Sequence, residues 1–79
     1  MVETLLDVRG LSCPLPVLKA NKALRGLAPG AELTVLATDP AAARDFPAFC
    51  AETGHTLVTQ AQEGEVLRFV LRKRAEPAA

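Results

Sequence analysis

The sequence predicts a two-layer α/β (α+β) sandwich, β-α-β-α-β-β, in which a four-stranded mixed sheet carries two helices on one face. Three observations predict it. Apolar residues alternate with polar ones in short stretches such as "AELTVLAT" (31–38) and "EVLRFVLRK" (65–73), the period of a strand with one buried face. Apolar residues recur at three- and four-residue spacing in "PLPVLKANKALRG" (14–26), the period of a helix. Glycine and proline punctuate these stretches at 10, 26, 29–30, 54 and 64.

The elements follow in order. "TLLDV" (4–8) reads as the first strand, and Gly10 suits a positive φ in the turn after it. The helix at 14–26 places Val17, Ala20, Leu24 and Leu27 on one face and Lys19, Lys22 and Arg25 on the other. In the second strand Leu33, Val35 and Ala37 point inward, and Glu32, Thr34 and Thr38 outward. "TDP" (38–40) opens a second helical segment with Asp39 as N-cap and Pro40 at its first position. Pro47 would then clash with the carbonyl of Ala43, so the expectation is one turn over 40–44 and a fresh start capped by Asp45. That second piece runs to about Thr53 and stops at Gly54. "HTLVTQA" (55–61) is the third strand, "EG" (63–64) a turn, and 65–73 the fourth strand, with Leu67, Phe69 and Leu71 inward and Arg68 and Arg72 outward. A right-handed crossover makes the first two strands parallel, and the closing hairpin adds an antiparallel strand. Residues 1–74 form a single domain, and 75–79 read as a frayed tail.

Seventy-nine residues leave room for one core, built from Leu, Val, Ala and three Phe because Trp and Tyr are absent. Nine Lys and Arg balance nine Asp and Glu, which disfavours strong direct nucleic-acid binding. The N-terminus has acidic residues and no long apolar run, so a secretory signal and a membrane span are not expected. A cytoplasmic location follows, and there two cysteines are expected as thiols rather than a structural disulfide.

The chemistry concentrates in "VRGLSCPLPVLK" (8–19). With a helix starting at Pro14, Cys13 would occupy the N-cap, where free N–H groups and the positive end of the helix dipole favour a thiolate. Pro14 and Pro16 are tolerated in a first turn and stiffen the junction, although they remove two donors. The design favours presentation of the sulfur over its maximal acidification. The structural alternative is a small apolar residue in a turn, and spacing alone leaves the two open. There is no C-x-x-C pair, so a dithiol oxidoreductase is not indicated. His55 is the only histidine, so neither a Cys–His hydrolase nor a zinc site can be read from the spacing. One presented thiol without further machinery is the profile of a carrier.

"LDVRGLSCPLPVLKANKAL" resembles the signature of the TusA/SirA family of small sulfur-carrier proteins, Asp-x-x-Gly-Leu-x-Cys-Pro-x-Pro followed by a lysine-bearing helix. "PGAELTVLATDPAAARDFPAFCAETGHTL" resembles the second half of the family pattern, so the likeness covers nearly the whole chain. The resemblance implies the fold shared with the C-terminal domain of a bacterial translation initiation factor. It implies that Cys13 receives sulfur as a persulfide, with Gly10, Pro14 and Pro16 shaping its presentation. The implied donor is a cysteine desulfurase or a rhodanese, the acceptor is a downstream thiol protein, and no cofactor is needed. In the best-known branch the relay ends in 2-thiouridine of tRNA. Other branches serve sulfur oxidation, molybdenum-cofactor maturation or selenium metabolism. Leu15 stands where a well-known member has Glu, and Thr38 where an acidic residue often precedes Asp-Pro.

Among other candidates, Arg9 lies four residues before Cys13, where it could stabilise a thiolate, contact a partner or simply be solvated. Lys19, Lys22 and Arg25 form a basic stripe leading from the thiol, either a docking face for an acidic partner or a solvated helix face. Cys50 reads as core, on one stripe with Phe46, Phe49 and Thr53, rather than as a resolving thiol. Asp7 and Asp45 read as a strand end and a helix cap, His55 as a strand start, and "RKR" (72–74) as a weak anionic contact or a charged end. A monomer is expected. Two rival classes remain at this level: an RNA-binding or regulatory module of the same fold, and a redox sensor pairing Cys13 with Cys50.

Overall fold

A computed structural model of the protein describes residues 4–75. The elements are β1 (Thr4–Asp7), α1 (Leu15–Arg25), β2 (Glu32–Ala37), α2 (Ala42–Thr53), β3 (Thr56–Glu63) and β4 (Val66–Arg72). The sheet order is β1-β2-β4-β3. β1 runs parallel to β2, while β4 is antiparallel to both β2 and β3. The mixed four-stranded sheet with two helices is the architecture the periodicities predicted. Among the described residues no helix is long and apolar enough to cross a membrane. Ala75 follows β4 as exposed chain, and the rest of the tail, 76–79, lies outside the described residues, as do residues 1–3 of the N-terminal segment.

The core lies between the helices and one face of the sheet. Ala20 and Leu24 of α1 and Phe46, Phe49 and Cys50 of α2 meet Leu33, Val35 and Ala37 of β2 and Leu67, Phe69 and Leu71 of β4. Val17 and Leu27 pack at its margin. Phe46 stacks on Phe69 with ring centroids 4.6 Å apart, joining α2 to the central strand β4.

Three expectations change. The second helical segment is one continuous helix, with no fresh start at Asp45. The N-cap of α2 is Ala41 rather than Asp39, with no side-chain cap bond, and Asp39 instead accepts the Ala41 N–H at 3.0 Å in the turn that leads into the helix. The N–H groups of Ala42, Ala43 and Arg44 then bond three residues back, and that of Asp45 bonds the Ala41 carbonyl at 2.9 Å, so the chain is already helical when it reaches Asp45. Pro47 sits inside α2, and the Ala43 carbonyl that its missing N–H would have satisfied accepts instead from Gln60 Nε2 at 3.2 Å. A side chain of β3 thus repairs the break, which local spacing could not foresee. Gly54 ends the helix at φ +84°, its N–H on the Cys50 carbonyl.

Thr34 was expected to face solvent, yet it is only 2% exposed. It stands on the central strand β2, where flanking side chains such as Leu5, Leu36, Val66 and Arg68 wall the groove it lines. The basic end 72–74 is structural rather than a free charged tip. Arg72 pairs with Glu32 at 2.9 Å, and Arg74 donates to the Thr53 carbonyl. Lys73 is buried and donates from Nζ to the Leu24 carbonyl at 2.8 Å, at the carboxyl end of α1 where a cation suits the helix dipole.

Candidate functional site

Cys13 lies in the connection between the carboxyl end of β1 and α1, and its side chain is exposed. The sequence positions it by a sharp reversal. Gly10 takes φ +81°, a conformation costly for any residue with a Cβ. Its N–H donates to Thr38 Oγ1 at 2.9 Å. The N–H of Cys13 donates to Asp39 Oδ2 at 2.6 Å. The β2–α2 connection therefore grips the thiol loop at two main-chain points.

The helix start differs from the expectation. Pro14, not Cys13, is the N-cap of α1, with no side-chain capping bond. The Leu15 N–H is taken by the Ser12 carbonyl at 2.9 Å, and Pro14 and Pro16 have no N–H. Of the first-turn donors that would have stabilised a thiolate, the two of Pro14 and Pro16 are absent and that of Leu15 is engaged. Carboxylates approach instead. The Asp45 carboxylate beside the thiol pushes the Cys13 pKa up, with desolvation and the charge of Asp39 adding to it and Arg44 only partly opposing it. The resting sulfur is a protonated, presented thiol. Asp45, read as a cap, is a neighbour of the sulfur.

Pro16 is buried and roots the first turn of α1 against the core, while Pro14 is exposed beside the thiol. Leu15 and Leu18 follow on the outer side of that turn, 45% and 55% exposed. Lys19, Lys22 and Arg25 are all exposed, so the basic stripe forms as expected along the helix that starts at the thiol. Arg9 is not directed at Cys13. Its Nε and Nη2 form a fork on Asp7 at 2.9 and 2.8 Å, which holds the Asp7 carboxyl at about 2.

Cys50 is buried in the core, and burial pushes its thiol up. His55 packs at 5.7 Å from the Phe49 ring and accepts the Arg74 N–H on Nδ1 at 3.0 Å. It sits at the carboxyl end of α2, away from Asp39 and Cys13 at the amino end. Sequence reasoning missed Asp45 and the second contact of Asp39. The "TDP" signal located Asp39 at the entry to α2, but only the fold brings its other oxygen to residue 13.

An exposed thiol on a two-point-anchored loop, at the edge of a small α/β sandwich, defines a class: small domains that present a single free thiol to solvent. The chain belongs to the TusA family, described as sulfurtransferase TusA, whose sequence profile matches residues 4–73. It is similar to the sulfur carrier protein TusA of Pseudomonas aeruginosa, 45% identical over 75 residues that span 95% of each chain. It is also similar to the sulfur carrier protein TusA of Allochromatium vinosum, 44% identical over 68 residues, 86% of this chain and 90% of that one. The crystal structure of a SirA-like protein from Desulfitobacterium hafniense shares the fold, with a TM-score of 0.79 at 23% identity, covering 92% of this chain and 99% of that one.

Proposed function

We propose that the protein carries sulfur as a persulfide on Cys13. The observation that carries this reading is the exposed Cys13 thiol held by its own main chain while Cys50, the other cysteine, is sealed in the core. Membership of a sulfurtransferase family supports it. The step balances without a cofactor. The Cys13 sulfur attacks the outer sulfur of a donor persulfide, one S–S bond forms as another breaks, and the proton leaving Cys13 ends on the donor thiol. Cys13 gains a sulfane sulfur and the donor is returned as a thiol. Transfer to an acceptor repeats the exchange in the other direction.

The donor we infer is a cysteine desulfurase or a rhodanese, and the acceptor a thiol protein in a relay that ends in 2-thiouridine of tRNA, within the cytoplasm. Lys19, Lys22 and Arg25 suit an acidic partner surface, and the apolar Leu15 and Leu18 supply contact area next to the sulfur. The upward-shifted thiol fits a carrier that is inert alone and activated when a partner brings a base or a positive charge to it.

Intact-mass spectrometry after incubation with a cysteine desulfurase and cysteine tests the reading. Wild type and Cys50→Ser are expected to gain one reductant-removable sulfur, and Cys13→Ser none. Equal uptake by Cys13→Ser would overturn the assignment of the site.

A further inference from the structure

The Cys13 loop is secured from outside its own segment by Thr38 and Asp39, the two residues that follow β2, and one of them does two jobs. Asp39 Oδ2 accepts the Cys13 N–H at 2.6 Å while Oδ1 accepts the Ala41 N–H at 3.0 Å. A carboxylate bond to a main-chain N–H is about twice as strong as a neutral one. The second bond alone would close the turn that leads into α2, and a serine or asparagine could make it. The first adds nothing to that turn. It fixes residue 13 to the lead-in of α2, the helix that carries Asp45, whose carboxylate favours the protonated Cys13 thiol.

We propose that Asp39 is a positioning residue for sulfur transfer: by bonding the Cys13 N–H it fixes where the sulfur stands relative to α2 and hence to a docked partner. The proposal rests on Cys13 being the sulfur-bearing residue. Exchange between two sulfurs needs the attacking atom in line with the S–S bond that breaks, and misplacement by about 1 Å costs up to about a hundredfold in rate. A small donor that approaches from any side has no such requirement.

That difference supplies the test. Asp39→Ser keeps an oxygen for the Ala41 N–H but cannot serve both N–H groups, and Asp39→Asn keeps one acceptor of nearly the same shape. Both remove a negative charge that holds the Cys13 thiol up, so electrostatics alone would speed its reactions. Single-turnover sulfur uptake is measured for the full chain from two donors, a cysteine desulfurase charged with cysteine and inorganic polysulfide. Folding is checked by circular dichroism. For both variants we expect uptake from polysulfide at or above the wild-type rate. Uptake from the desulfurase should be about tenfold to a hundredfold slower, with the half-saturating donor concentration unchanged. Desulfurase rates at or above wild type in both variants would overturn the proposal. So would equal slowing with both donors, which would mark a general loss of structure or access. Sulfur uptake by Cys13→Ser run alongside would instead remove the site assignment on which the proposal stands, and the proposal with it.

Discussion

The main-chain N–H of Cys13 donates to Asp39 Oδ2 at 2.6 Å, across 26 positions of sequence. The carboxylate that receives it is held below its ordinary pKa range by that bond first and by the Ala41 N–H second. It therefore stays ionised at neutral pH, where the tie between the thiol loop and the start of α2 is charge-assisted.

Cys13 is expected to titrate above the ordinary thiol value of about 8.5. The contact with Asp45 favours the protonated form, so it supports the fold below the ordinary range and is lost as pH rises through the raised pKa. Alkylation rates at Cys13, followed by peptide mapping across pH, measure the midpoint. Asp45→Asn should lower it and quicken alkylation at pH 7. A midpoint at or below 8.5 in wild type would contradict this account of the site.

The fork between Arg9 and Asp7 makes a separate titration prediction. The Asp7 carboxyl should titrate near 2 by NMR, and Arg9→Ala should return it toward the ordinary range near 3.8. With a depressed pKa, the pair supports the fold above the ordinary range, and that support disappears as pH falls through about 2. Both side chains are about half exposed, so the effect on stability at neutral pH is small. An Asp7 midpoint indifferent to Arg9→Ala would show that the fork is not formed in solution.

Gln60 should be coupled to Pro47. Gln60→Ala leaves the Ala43 carbonyl without its donor and is expected to destabilise by about 0.5–1.5 kcal/mol. In a Pro47→Ala background the helix supplies its own N–H to that carbonyl, and the loss of Gln60 should matter less. A double-mutant cycle by urea denaturation reads the coupling. Strictly additive effects would mean that Gln60 does not repair the helix.

Lys73→Met keeps most of the buried stem and removes the ammonium. The Leu24 carbonyl keeps the Leu27 N–H but loses the charged Nζ donor, and about 1 kcal/mol of stability should go with it. Thermal denaturation against a Lys22→Met control on the exposed face would show the contrast. Equal, negligible effects would place the Lys73 charge in solvent.

The fold was legible because its signals are local and agree. Leu33, Val35 and Ala37 alternate, Val17, Ala20, Leu24 and Leu27 recur at helical spacing, and both patterns end up in or against one core. Cys13 was legible from its prolines and from the resemblance they helped to carry. What escaped depends on contacts distant in sequence. Pro47 predicts a break unless Gln60 is known to reach Ala43. The "RKR" end looks like free charge until Lys73 is seen under α1 and Arg74 against Thr53. The thiolate expected at a helix N-terminus gave way because Cys13 stands one residue ahead of the cap and faces carboxylates brought by α2.

The sheet order has a consequence for how the chain reaches its native state. β4 comes last in sequence but sits between β2 and β3. A fragment lacking it has no hairpin for β3 and leaves β2 with one bare edge, so it exposes unpaired strands rather than a smaller version of the domain. Closing the gap requires β4 to find β2 over a long separation, Ala37 meeting Leu67 at one end and Glu32 meeting Arg72 at the other. Such non-local pairing slows the search and makes it all-or-none. Shortening the protein from its carboxyl side into β4 should therefore abolish folding outright instead of trimming it by degrees.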